Sequence, residues 1–240
     1  MKKIIKYLFL LTGGSFILAS CNDFLDREPL DSVTPDNFFF TENDLAAYAV
    51  KHYNFTTHEG FNAGIWRNDN ATDNQAATDY DKKWIPGQWK VPEAYDNPAS
   101  NDPWYFSTIR EANYFLETVV PRFEKGEIEG SETNIKHYIG EMYFLRAKNY
   151  LSKLETFGDF PIIKNTLPDE SESLIQASKR APRYKVAHFI LEDLDQAISL
   201  LTNNISGGKN RITKNAALLL KSRAALFEAS WLTYHKGTAL

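Results

Sequence analysis

The longest regular signal in this sequence runs from about Glu132 to Phe157. Tyr143, Ala147, Tyr150, Leu154 and Phe157 recur there at intervals of three and four, which places them on one face of a helix. Gly158 follows at once, the residue type that most readily closes a helix in a left-handed conformation. A helix of this length needs long apolar partners laid along it, and the rest of the chain supplies them.

Thr41-Glu42-Asn43-Asp44 reads as a capping box ahead of Leu45, Ala49, His52 and Phe55 at helical spacing. Asp102-Pro103 reads as an N-cap followed by proline at the first helical position, opening the stripe Tyr105, Ile109, Ala112, Leu116 and Val119. Pro121 is expected to stop that helix. Pro182 opens another, with Val186, Ile190, Leu194, Ala197 and Leu201 in line and Gly207-Gly208 expected to end it. An Ala- and Leu-rich helix is expected from after Thr213 to about Tyr234. Residues 159–180 read as a loop. Residues 57–100 read as a longer one, with Gly60, Gly64, Pro86, Gly87, Pro92 and Pro98 and no sustained helical period. Loops of that length in compact domains are functional or disordered.

The fold class that follows is mainly α. The helices on either side of Pro121 form one expected hairpin, and the last two helices form another. Leu145-Arg146-Ala147 with Tyr150 faintly repeats as Ser222-Arg223-Ala224 with Phe227. This favours tetratricopeptide-like helical hairpins with long inserted loops, over residues 41–240. No capping helix follows Tyr234, and stacked-hairpin folds need one, so this helical domain is expected to be incomplete.

The N-terminus carries a separate message. Lys2, Lys3 and Lys6 precede an apolar stretch from Tyr7 to Leu18, interrupted by Thr12, Gly13, Gly14 and Ser15. It is shorter than the roughly 20 apolar residues a membrane span requires. Residues 1–20 instead suit a signal peptide. Leu18-Ala19-Ser20-Cys21 is an apolar residue, two small residues and a cysteine, the pattern of a bacterial lipobox. Cys21 is the only cysteine in 240 residues, so no internal disulfide exists, and lipid attachment at Cys21 accounts for it. Several acyl chains anchor a protein stably. Residues 21–40 then read as a lipid-proximal tether. Removal of residues 1–20 leaves 24 basic against 31 acidic residues, which argues against nucleic acid as a partner.

Candidate ligand-binding residues lie in the 57–100 segment: Trp66, Asp69, Asp73, Tyr80, Trp84 and Trp89. Flat aromatics stack on the C–H faces of sugar rings while carboxylates and amides meet the hydroxyls, a mixture typical of small-ligand sites. The competing reading is that these aromatics anchor a long loop onto the helices. Trp104 is expected to pack in the core. Arg146 and Arg223 are expected to form structural ion pairs or helix caps, with Glu141 a candidate partner. The five histidines show no metal-ligand spacing, and Asp69 to Asp81 departs from the calcium-loop pattern at Ala71 and Tyr80. No nucleophile elbow, phosphate loop or dinucleotide fingerprint is present, so neither catalysis nor a cofactor is expected.

Taken together these segments resemble a known family. Cys21-Asn22-Asp23-Phe24-Leu25-Asp26 with Glu28-Pro29, then Trp104-Tyr105, Ile109-Arg110 and Ala112-Asn113-Tyr114-Phe115-Leu116-Glu117, resemble the opening motifs of SusD/RagB-type outer-membrane lipoproteins. Glu141, Phe144-Leu145-Arg146-Ala147, Tyr150, Leu154 and Phe157-Gly158-Asp159-Phe160-Pro161 resemble the family's most recognisable stretch. Arg211-Ile212-Thr213, Ala216-Ala217 and Ser222-Arg223-Ala224-Ala225-Leu226 resemble a later one. Family members are about twice this long, so the likeness is to the N-terminal half. The resemblance implies a SusD-like helical fold and capture of glycan or other nutrient at the outer face of the outer membrane, through a lipid anchor. It also implies delivery to a SusC-like TonB-dependent transporter, which the helical pairs would meet. The alternative is a helical interaction module or fragment with no ligand of its own. A surface hydrolase is the third reading.

Overall fold

The computed structural model describes residues 38–53, 55, 85, 104–205 and 210–238. The expected signal peptide, Cys21, most of the tether and nearly all of the 57–100 segment lie outside the described residues. Among those described, the fold is six helices and two isolated β-bridges. In chain order the helices are α1 (Glu42–Lys51), α2 (Ser107–Glu124), α3 (Glu132–Phe157), α4 (Ser171–Ala177), α5 (Arg183–Leu200) and α6 (Lys214–Tyr234).

Helix α3 is the hub. It buries residues on nearly every side, including Ile135, Ile139, Met142, Leu145, Ala147, Tyr150 and Leu154. α1, α2 and α5 pack on it, and α6 packs on α5. The expected hairpins α2–α3 and α5–α6 are therefore present, stacked in tetratricopeptide-like fashion. The most extensive interface lies between them, α3 on α5. Contact is tight at Gly140, where a β-carbon would sit 3.0 Å from Leu201 Cγ and 3.1 Å from Leu200 Cβ.

Thr41 caps α1 as expected. Its hydroxyl accepts from the Asp44 N–H, and the Asp44 carboxylate accepts from the Thr41 N–H at 3.0 Å. The helix ends at Lys51, earlier than the stripe suggested, with His52 as its C-cap and Phe55 outside it. Just before α1, Phe39 is fully buried with a φ of 70°, a left-handed conformation that side chains rarely adopt. Rings of Phe38, Tyr48, Tyr114 and Phe115 surround it. Arg122 holds the entering chain, donating to the Phe38 carbonyl at 2.7 Å and lying over the Phe40 ring. Phe38–Phe40, expected at the end of a tether, thus belong to the folded unit, with Phe39 in its core, Phe38 packed against it and Phe40 exposed.

Four further expectations are corrected. α2 begins at Ser107, and Tyr105 precedes it. Rings hold this entry in place of a side-chain cap: Trp104 lies 4.1 Å from Phe157, and Phe106 stacks on Phe160 at 5.1 Å. Pro121 does not stop α2, which runs on to Glu124. A proline so close to the end removes a single N–H from the ladder, and the Lys125 N–H still bonds the Pro121 carbonyl at 3.2 Å. The 159–180 stretch contains the short helix α4. Finally, α5 stops at Leu200, before Gly207-Gly208, because the Thr202 N–H turns to donate to His137 Nδ1 at 3.2 Å. Among the described residues no helix is long and apolar enough to cross a membrane.

Candidate functional site

None of the residues proposed from sequence to touch ligand can be placed: Trp66, Asp69, Asp73, Tyr80, Trp84 and Trp89 lie outside the described residues, as does the lipid-attachment candidate Cys21. The described residues hold a pocket of about 360 Å³ between the start of α2, the 161–167 segment and α4. Trp104, the first described residue after the long loop segment, lines it with Phe106, Ile109, Pro161, Ile163, Leu167 and Leu174. Arg110, Asn113, Asn165 and Ser178 supply its polar atoms.

The wall formed by residues 161–167 is held by side chains from α2 and α3. The Tyr150 hydroxyl accepts from the Ile163 N–H at 2.8 Å and lies 3.1 Å from the Ile163 carbonyl. Asn113 Nδ2 donates to the carbonyls of Ile163 and Asn165 at 2.9 and 3.2 Å. Arg146 Nη1 donates to Asn113 Oδ1 at 2.8 Å and to the Lys164 carbonyl at 3.3 Å. Glu117 accepts from both the N–H and the hydroxyl of Thr166. Behind this wall Arg146 meets Asp193 of α5 in a two-pronged pair, each contact 2.7 Å. Burial pushes the Asp193 carboxyl above its ordinary value, and the Arg146 guanidinium pulls it back. Burial likewise raises the Tyr150 phenol to about 12, so it remains a donor at neutral pH.

The structural role expected for Arg146 is thus met, by Asp193 and not by Glu141. Glu141 pairs with Arg211 instead. Arg223 is exposed on α6, and two ion pairs tie α6 to α5: Arg183–Glu228, at 2.8 Å with Arg183 over the Trp231 ring, and Lys221–Asp195. Sequence reasoning missed Asn113, Asp193 and Arg183. Their only linear signal is polarity on otherwise apolar helix faces, which any solvent-facing residue shares. Trp104 packs on Phe157 and Phe160, as expected, yet it also lines the pocket, with Arg180 over its ring at 4.9 Å.

Chemically the pocket is a mainly apolar hollow. The amide of Asn113 is spent on the wall, which leaves Arg110, Asn165 and Ser178 at the edge to orient a guest. Such a slot suits the apolar face of a ring or an apolar side chain. Among the described residues no cluster of histidine, cysteine or carboxylates could hold a metal ion.

The folded helices and their order coincide with one family. The SusD-like family model described as "Starch-binding associating with outer membrane" matches residues 23–226. The chain belongs to the SusD-like family. The SusD-like protein P38 of Formosa agariphila is 28% identical over 203 residues, covering 82% of this chain and 37% of that protein. SusD-like protein P2 of the same organism is 26% identical, covering 75% of this chain and 35% of its own length. A solved SusD-like protein from Bacteroides fragilis NCTC 9343 superposes with a TM-score of 0.61 at 26% identity, over 85% of this chain and 38% of that one. The SusD-like chain described here therefore spans well under half the length of these relatives.

Proposed function

We propose that this SusD-like chain forms part of a surface glycan-binding lipoprotein of the outer membrane, anchored through Cys21. In this reading it hands its ligand to a SusC-like TonB-dependent transporter. The family match over residues 23–226, whose description joins starch binding to the outer membrane, carries the proposal. Trp66, Asp69, Asp73, Tyr80, Trp84 and Trp89 are the proposed ligand contacts, with the pocket at Trp104 adjoining them in sequence. No catalytic role is assigned, and binding and delivery are the whole of the activity.

The test is calorimetry or affinity electrophoresis of the 22–240 protein against a panel of starch-type, plant and host glycans. Binding to at least one glycan, weakened about tenfold (about 1.4 kcal/mol) by Trp84→Ala or Trp89→Ala, is the expected result. Silence across the panel, or tryptophan variants indistinguishable from the parent, would count against it.

A second reading draws on one observation, the apolar character of the Trp104 pocket, whose nearest amide is already committed. A helical module that receives an apolar side chain of a protein partner would use such a slot. Co-purification with a transporter barrel, combined with silent glycan screens, would favour that reading.

A further inference from the structure

The hollow at Trp104 is one-sided in its chemistry. Its floor is apolar, built from Phe106, Ile109, Pro161, Ile163 and Leu174. Its polar groups divide into those already engaged and those left over. Asn113 has nothing to spare, since Nδ2 donates twice to the wall and Oδ1 accepts from Arg146. Ser178 donates its hydroxyl hydrogen to the Ile175 carbonyl at 2.7 Å. Arg110 lines the hollow and is exposed, and Arg180, also exposed, lies over the Trp104 ring at 4.9 Å. No carboxylate among the described residues pairs with either guanidinium. No acidic side chain is among the described residues that line the hollow. The acids nearest to Arg110 along α2 are engaged elsewhere, Glu111 by Lys51 and Glu117 by Thr166.

We infer that this hollow is a subsite for an acidic sugar residue, one pyranose ring carrying a carboxylate or a sulfate. Its volume of about 360 Å³ lies at the small end of ligand pockets and suits a single ring. The C–H face of that ring lies on the apolar floor, and its anionic group meets Arg110 and Arg180 at the rim. A guanidinium presents forked N–H donors that match the paired oxygens of such a group. A neutral sugar fits less well, because each of its hydroxyls both donates and accepts. Among the lining side chains the free acceptors are only the Asn165 amide oxygen and the Ser178 hydroxyl oxygen. An apolar peptide side chain would use the floor and leave both guanidinium groups unused. The inference rests on the glycan-binding reading and names the class of sugar, but it does not depend on the residues of the 57–100 segment.

The test is a ligand-observed NMR titration of the purified full chain with three probes that differ at one carbon. They are methyl β-D-glucuronide, the 6-sulfate of methyl β-D-glucoside, and methyl β-D-glucoside itself. At least one anionic probe should bind about tenfold or more tightly than the neutral glucoside, and the tighter of the two anions tells carboxylate from sulfate. Arg110→Gln and Arg180→Gln should each weaken that binding about fivefold, the upper end for an exposed charge pair. Both positions are exposed, so the fold should survive, and circular dichroism checks it. Lys179→Gln removes an exposed cation that bonds Gln176, and it should leave binding within about twofold. Equal affinity for all three probes would overturn the inference, as would a loss from Lys179→Gln as large as that from Arg110→Gln. A chain that binds neutral glycans without preferring the acidic probes loses this inference and keeps the glycan-binding reading. A chain silent to both kinds of sugar loses both.

Discussion

Arg211 grips both carboxylate oxygens of Glu141, a residue 70 positions earlier: Nε lies 2.9 Å from Oε1 and Nη2 2.5 Å from Oε2. The same carboxylate accepts from the Tyr53 hydroxyl at 2.7 Å and faces His137 Nε2 at 3.1 Å. Because His137 Nδ1 accepts from the Thr202 N–H, the ring proton sits on Nε2 and points at Glu141. One buried carboxylate thereby ties together the exit of α1, the middle of α3, the exit of α5 and the entry of α6. Burial and the neighbouring Glu141 charge push the Tyr53 phenol well above its ordinary value, so it stays a donor.

Removing that carboxylate leaves Arg211 buried without its counter-charge. Glu141→Ala should cost about 3–5 kcal/mol in urea unfolding, the range for breaking a buried pair from one side. Replacing both partners, Glu141→Leu with Arg211→Met, should recover a large part of the loss. A single-variant cost below about 1 kcal/mol would show that the cluster does not hold the hairpins together.

Tyr150→Phe keeps the ring in the core and deletes only the hydroxyl that pins Ile163. The Ile163 N–H then lacks its partner, at a cost of about 1–3 kcal/mol. Hydrogen exchange is the direct readout: the Ile163 amide should lose protection while amides in α5 do not.

Gly130 has a φ of +133°, and a β-carbon there would lie 2.7 Å from the Glu42 side chain. That side chain also accepts from the Ser131 N–H at 2.7 Å. Gly130→Ala should therefore destabilise by about 1–3 kcal/mol through backbone strain and displacement of Glu42. Thermal melts compared with Gly126→Ala, where a β-carbon meets open space at a φ of +71°, separate the clash from the strain.

His52 links stability to pH. Its ordinary value is 6.5, and burial holds it lower, with Glu111 pulling the other way across a 3.4 Å contact and Lys51 adding to the lowering. Its Nε2 is buried with no hydrogen-bond partner among the described residues, so protonation there is unfavourable. The unfolded chain takes up the proton first, and stability present above pH 6.5 should fall as pH drops through the lowered folded value. His52→Gln should flatten the stability profile below pH 6.5. An unchanged slope would place the titration elsewhere.

Helix existence was readable because it depends on local spacing and caps. Thr41 with Asp44, the 132–157 stripe with Gly158, and Thr213 ahead of α6 are all short-range patterns, and each appears as expected. Helix ends decided by distant contacts were not readable. Trp104 and Phe106 start α2 by stacking on rings some fifty residues on, and His137 ends α5 by capturing the Thr202 N–H. The candidate ligand residues of the 57–100 segment were chosen on composition, and they lie outside the described part of the fold.

The sequence by itself determined a mainly α fold of paired helices, the family to which it belongs and the expectation of a lipidated Cys21. Those follow from periodicity and from motifs a few residues long. Tertiary structure alone decided which charges meet. Arg146 and Arg223 look alike along the chain, yet one lies buried on Asp193 and the other faces water. Glu141 turned to Arg211 instead of Arg146. The reason is that an ion pair depends on which helix faces come together, and helical period specifies a face without naming its neighbour.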